Sequence, residues 1–313
     1  MRMIGYGCLW PEGHFGRRIA GEFAARVAAL SGGELLVEVT PPTPDAESTA
    51  ALLDGRLELV SGHAIQDYVP EIGLSYLPYL YGSFAHFQQI WTLGSQVSDA
   101  LIGRFAACDV PAEVLGYTLI GKRNMILRER PVAGLADFKG LKVRVDGSRT
   151  AAATFAALGA DPLPVEYHQT LAALREGAVD AAENSPFNLI AMGWWQACGY
   201  VSLTEHMLLL NAELVNASFW RGLAPAHQAL LRAEIERASG EFAARAQARY
   251  DEAVRLLATE HGLAVNRLSA AARAELEEAT AAMRAQFVAA HGLEQAYGWI
   301  LDARAPGDGG TEA

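Results

Sequence analysis

The chain has 313 residues, 51% of them apolar and 19% charged, with a formal net charge of −11 and a pI near 5.2. That composition can bury a large core, favours two domains over one and is not that of a disordered chain. The acidic balance argues against nucleic acid or an anionic membrane as partner, yet leaves room for a small acidic ligand, because an arginine in a cleft acts within about 8 Å.

No apolar run reaches the ~18 residues of a membrane span, so no direct membrane insertion is expected. Cys8, Cys108 and Cys198 lack metal-ligand or CxxC spacing, and buried free thiols are expected. The start, MRMIGYGCLW, is interrupted by Pro11 too soon to be a signal peptide. Either the protein stays in the cytoplasm or an export signal is absent from this chain.

Met3 to Leu9 reads as a first strand and His14 to Leu30 as a helix with Ile19, Phe23, Val27 and Leu30 on one face. Ser31-Gly32-Gly33 stops it. Leu35 to Val39 is a strand, Ala46 to Leu53 a short helix and Leu57 to Ser61 a return strand. Tyr68 to Tyr81 is irregular and aromatic, its prolines excluding a regular helix or a central strand. A helical piece (Phe84 to Phe105) leads to a strand at Val114 to Ile120, and Asn124 to Pro131 is expected to be a separate strand that crosses into a second lobe.

The stretch from Leu135 to Asn188 carries the strongest pattern. A short helical start leads to a strand (Leu141 to Val145), a helix (Arg149 to Leu158), a Gly/Pro break, a helix around Leu171 to Arg175, and Asp180 to Asn184. This is parallel α/β logic, and in open sheets of that kind ligands sit outside the carboxyl ends of the strands. Arg144 and Asn184 fall at such ends. Beyond them, Tyr200 to Asn216 is strand-like, Pro225 to His261 is nearly all helix-forming, and Ala271 to Ala290 reads as one amphipathic helix. At ~1.5 Å per residue the first of these helices runs ~50 Å, long enough to brace two lobes. The tail after Arg304 is expected to be disordered.

Arg144 can take a carboxylate through two parallel hydrogen bonds, or be an ordinary salt-bridged arginine. Arg123, just after Gly121, faces the same choice. Asn184 either caps the following helix or turns its amide to a ligand. Trp10, Tyr79, Tyr81, Tyr167 and the Trp194-Trp195 pair are either core or pocket wall. His14 and His63 sit in loops after strands, where a lone histidine is ordinarily neither ligand nor catalyst. Complete enzyme motifs are missing: Gly5-x-Gly7 lacks the third glycine of a dinucleotide loop, Gly121-Lys122 lacks the Ser or Thr of a phosphate loop, and there is no GxSxG or HExxH.

The run Ala136 to Val145 (ADFKGLKVRV) closely resembles a signature of the DctP-type solute-binding proteins of tripartite ATP-independent periplasmic (TRAP) transporters. Further similarities keep the same order: YVPEIGLSYLPYL at Tyr68 to Leu80, Gly121-x-Arg123 before Arg130-Pro131-Val132, Leu158 to Pro162 (LGADP), Gly177 to Asp180 with Glu183-Asn184, and Ser202-Leu203-Thr204 with Phe219-Trp220 and Leu223. The resemblance covers nearly the whole chain.

It implies a two-lobe α/β periplasmic-binding-protein-like fold, type II-like, with a cleft between lobes and a long C-terminal helix bracing both. The lobes are expected at 1–121 plus about 211–250, and at 122–210 plus about 251–304. Arg144 would pair with a ligand carboxylate, assisted by Arg123 and Asn184, with Tyr167 facing the pocket. The second half of the pocket is expected around Trp10, His14, His63, Tyr79 and Leu208.

Two departures stand out. PPTPDAESTA after Val39 is shorter than the family norm, and Leu208-Leu209-Leu210 stands where polar residues often occur, which hints at a less polar ligand tail. The expected function is periplasmic capture of a small organic acid by cleft closure and delivery to TRAP membrane subunits, by a monomer without cofactor. The competing readings are an enzyme using His14, His63 or Glu166 on the same scaffold, and a sensory ligand-binding module.

Overall fold

The computed structural model describes residues 1–304, so the tail expected to be disordered (305–313) lies outside the described residues. The strands are β1 (Arg2–Cys8), β2 (Leu35–Val39), β3 (Leu59–Gly62), β4 (Ala112–Leu127), β5 (Lys142–Val145), β6 (Asp161–Pro164), β7 (Ala181–Asn184), β8 (Tyr200–Asn216) and β9 (Ala264–Arg267). The α-helices are α1 (Phe15–Leu30), α2 (Asp45–Leu53), α3 (Phe84–Ile90), α4 (Gln96–Ala107), α5 (Arg149–Ala157), α6 (Thr170–Glu176), α7 (Pro186–Ala191), α8 (Ala217–Arg221), α9 (Pro225–Thr259), α10 (Ala270–Ala279), α11 (Ala281–His291) and α12 (Glu294–Asp302).

Contacts divide the chain into unit 1 (Met1–Ile72, Gln88–Ile120, Leu210–Ala246) and unit 2 (Gly73–Phe87, Gly121–Leu209, Gln247–Ala313). In unit 1, β1 pairs in parallel with β2 and β3, and β3 pairs antiparallel with β8. α1 follows β1 as a crossover helix. It starts where the His14 ring accepts the Gly16 amide, and it buries Ile19, Ala20, Phe23 and Val27. Ala20, Phe23 and Val27 pack with Ile4, Leu35, Leu59, Leu115, Val215, Trp220 and Ile235 into one core.

In unit 2, β5 lies between β6 and β7, parallel to both, and β7 pairs antiparallel with β4. Two apolar clusters flank this sheet, one around Met125, Val143, Val145 and Phe155 and the other around Ile126, Ala182, Trp194 and Tyr250. The alternation of Met125 with Ile126, and of Ala181 with Ala182, assigns the two faces.

Several expectations change. Val114 to Ile120 and Asn124 to Pro131 are not separate strands. β4 runs unbroken from Ala112 to Leu127, because Gly121 takes φ +138°, which a side chain rarely adopts, without ending the ladder. Residues 73–87, assigned by sequence to the first lobe, belong to unit 2. There the Tyr79 amide donates to the His206 carbonyl at 2.9 Å, the Arg284 guanidinium to the Pro78 carbonyl at 3.1 Å, and the His86 ring meets the Ile300 carbonyl at 2.9 Å. The single helix expected at Ala271 to Ala290 is two, broken at Thr280, whose hydroxyl turns back to the Leu276 carbonyl at 2.9 Å. α9 is continuous through Gly240, a cost of about 1 kcal/mol that the Arg237–Glu241 and Glu241–Arg245 pairs help to offset.

Candidate functional site

The carboxyl ends of β5 and β7 in unit 2 carry Arg144 and Asn184. Register places Arg144 opposite Ala182, and Asn184 lies two residues on, so both side chains leave the same face of the sheet. Arg144 is 1% exposed. Its Nε donates to the Val165 carbonyl at 2.8 Å, which fixes the plane of the guanidinium. The rings of Trp194 and Tyr167 lie 5.5 and 5.9 Å from its Cζ, so aromatic faces supply part of its counter-potential. Its Nη1 is buried and has no hydrogen-bond partner. Burial pulls its pKa below the ordinary value, against the opposing pull of Asp146 and Glu183. A guanidinium nevertheless stays charged at neutral pH. This is a buried cation with donor capacity left over.

Asn184 is buried and its Oδ1 accepts from the Ser185 amide at 2.8 Å and from Asn188 Nδ2 at 2.9 Å. The oxygen therefore serves the start of α7. The N-cap of α7 is Ser185, so the capping role weighed for Asn184 is reduced to holding the amide just ahead of the helix.

Arg123 belongs to the other face. It lies two residues before Met125, the register partner of Glu183, which makes Arg123 and Glu183 diagonal neighbours across the β4–β7 pair. Arg123 Nε and Nη2 donate to the two carboxylate oxygens of Glu183, and Nη2 lies 3.5 Å from Asp146. Both partners are at most 3% exposed at the side chain. Burial works against both charges, but each ion overrides it for the other, leaving the Arg123 pKa raised and the Glu183 carboxyl lowered. Glu183 also meets His206 Nε2 at 3.4 Å, and His206 Nδ1 shares a 2.8 Å hydrogen bond with Thr204. Burial holds the His206 pKa down despite Glu183, so that ring is neutral.

The residues expected to form the second half of a pocket are distributed differently. Trp10 stacks on His14 and Phe242 in unit 1, at 6.0 and 5.9 Å between centroids. It lines a partly open pocket together with Tyr6, Phe23, Thr118 and Glu213. His14 caps α1, its Nδ1 accepting the Gly16 amide at 3.0 Å. His63 sits against Asp45, with its Nδ1 at 3.1 Å and its backbone amide donating at 2.8 Å. Tyr79 and Leu208 are both buried and line a pocket of unit 2 with Tyr81, Lys122, Glu205 and His206, a lining that does not include Arg144. Tyr79 (φ 55°) and Glu205 (φ 42°) hold left-handed backbone there, which costs about 1–3 kcal/mol each.

Sequence reasoning passed over three features. One is the pairing of Arg123 with Glu183, and the second is the His206–Thr204 support behind it. The third is Glu213 in unit 1, which accepts from Tyr6 at 2.9 Å, Ser61 at 2.9 Å and Thr118 at 2.6 Å. The available signal was polar residues in alternation (Thr204, His206; Asn211, Glu213) within the apolar strand β8.

The family model for bacterial extracellular solute-binding protein, family 7 (DctP), matches residues 6–290. A solute-binding protein of Roseobacter denitrificans is 26% identical over 64% of this chain and 62% of its own. The C4-dicarboxylate-binding protein DctB of Bacillus subtilis is 26% identical over 68% of this chain and 61% of its own. The aligned part therefore spans about three fifths of the length of these curated relatives. A TRAP periplasmic solute-binding protein from Roseobacter denitrificans, solved with β-D-glucuronate, superposes with a TM-score of 0.89 at 20% identity, covering 97% of this chain and 100% of that one. The likeness establishes the two-lobe α/β periplasmic-binding fold.

Proposed function

Because this chain belongs to the DctP family of bacterial extracellular solute-binding proteins, family 7, we propose that it binds a small organic acid in the periplasm and delivers it to the membrane subunits of a TRAP transporter. The observation that carries the reading is the buried, unpaired Nη1 of Arg144. A buried donor left unsatisfied costs about 1–3 kcal/mol, more for a charged group, and an incoming carboxylate relieves that cost. With Nε committed to Val165, the guanidinium meets the ligand end-on through its terminal nitrogens. Tyr167 and Trp194 hold the guanidinium from the side, and Asn184 adds an amide donor. Arg123, neutralised by Glu183, shapes the local field and orients Asp146. Units 1 and 2 are the two lobes in this reading, and the protein acts as a monomer.

Titration calorimetry of the purified chain with D-glucuronate, D-galacturonate and succinate tests the proposal. At least one acid binds the wild type, and Arg144→Ala loses it while retaining a cooperative melt. Unchanged affinity in Arg144→Ala removes the anchor from the proposal. An Arg144→Lys variant is also expected to bind poorly, because an ammonium cannot present the planar fork.

A further inference from the structure

The buried cations can be counted one by one. Among the described residues the arginines and lysines classed as buried are Arg123, Arg144 and Arg284, all in unit 2. Arg123 is held by both oxygens of Glu183 and by Asp146. Arg284 spends its terminal nitrogens on the Pro78 and Glu277 carbonyls and the Thr280 hydroxyl. The nearby, partly buried Lys122 is paired with Glu205 at 3.0 Å. Neither Arg144 nor Arg284 makes an ion pair, but of the three buried arginines Arg144 alone keeps a buried donor without a partner. Unit 1 buries no arginine or lysine among the described residues, but it does bury Glu71, Glu213 and Glu234.

The charges coupled to Arg144 sum to balance. Arg123 and Arg144 stand against Glu183 and Asp146, with His206 neutral. One carboxylate added to this set leaves a single excess negative charge opposite an unsatisfied guanidinium. Among the described residues a second carboxylate meets no further buried arginine or lysine with a donor to spare, since Arg123 and Arg284 have theirs engaged, and a buried unpaired charge is far costlier than a buried hydroxyl.

We infer that the ligand is a monocarboxylate whose remainder is uncharged, and that dicarboxylates are disfavoured. This rests on the organic-acid reading of Arg144 and adds the number of charges that the site accepts. It separates this chain from a relative named for C4-dicarboxylates.

The test uses pairs of acids that differ only in a terminal CH2OH against COO⁻: galactonate with galactarate, gluconate with glucarate, and 4-hydroxybutanoate with succinate. Each is titrated calorimetrically into the wild type, Arg144→Ala and Asp146→Asn. The monoacid of any binding pair is expected to bind at least tenfold tighter than its diacid. Asp146→Asn removes one negative charge at nearly constant shape and narrows that ratio. A diacid that binds as tightly as its partner, with both lost in Arg144→Ala, overturns the inference and leaves the organic-acid reading standing. A ratio untouched by Asp146→Asn overturns the charge-balance account. Absence of binding by every pair overturns the organic-acid reading and the inference with it.

Discussion

Glu213 in unit 1 and Glu183 in unit 2 are both fully buried carboxyl groups on strands, in opposite surroundings. Glu213 is met by three hydroxyls, from Tyr6 on β1, Ser61 on β3 and Thr118 on β4, and by no cation among the described residues. Burial raises its pKa against those hydrogen bonds. Glu183 is met by the Arg123 guanidinium and by His206, and its pKa is lowered although burial opposes this. The first arrangement ties neighbouring strands together and leaves nothing over. The second immobilises one arginine beside another, Arg144, whose donors are not all used. A saturated buried acid reads as architecture, whereas a charge cluster with surplus donor capacity reads as a binding site.

The comparison can be broken most directly at Glu183. Glu183→Gln leaves Arg123 buried without its full counter-charge and is expected to cost about 3 kcal/mol or more in urea unfolding. The folded-state carboxyl pKa is lowered, so its contribution is present above the ordinary carboxylate range and lost as pH falls through the lowered value. The variant should therefore lose much of the wild type's acid-side decline in stability.

Arg144→Ala comes next. It is expected to cost at least ~2 kcal/mol of ligand binding, roughly thirtyfold, read by calorimetry. Its melting temperature without ligand should fall by less than that of Glu183→Gln, because removal of a buried donor with no partner partly offsets the lost Val165 bond and packing. A matched loss of stability and affinity would place Arg144 with Glu213, as architecture.

Glu213→Gln is expected to change stability by about 1 kcal/mol and ligand affinity not at all. Its sign with pH is opposite to that of Glu183. The folded pKa is raised, so the stabilising contribution is complete below the ordinary carboxylate range and fades as pH rises through the raised value. The wild type's advantage over Glu213→Gln should be greatest near pH 4 and shrink toward neutrality in parallel thermal melts. The smallest effect is expected for Arg26→Ala, which removes a pair to Glu234 from a side chain that is 48% exposed. Salt-sensitive losses below about 1 kcal/mol are expected there.

Local pattern was enough for the secondary structure around the site. The alternation in Leu141 to Val145, the apolar spacing of Arg149 to Leu158 and the polar ends at Arg144 and Asn184 are short-range signals, and they recur as β5, α5 and β7. Family likeness, carried by ordered motifs, also followed from sequence alone. The continuity of β4 through Gly121 did not, because a glycine at φ +138° looks in sequence like a stop. Nor did the break at Thr280, which depends on where one hydroxyl turns.

The sequence by itself determined the α/β class, the family and the strand-end position of Arg144 and Asn184, because these depend on periodicity and on residues close along the chain. Only tertiary structure decided which arginine keeps a donor to offer. Arg123 and Glu183 are 60 residues apart, and Glu213 lies 207 from Tyr6. No local pattern encodes such pairings. They are fixed by strand register, and register is set by the burial of whole faces. Once register joins Arg123 to Glu183, Arg144 is the neighbouring buried arginine that keeps a donor without a partner.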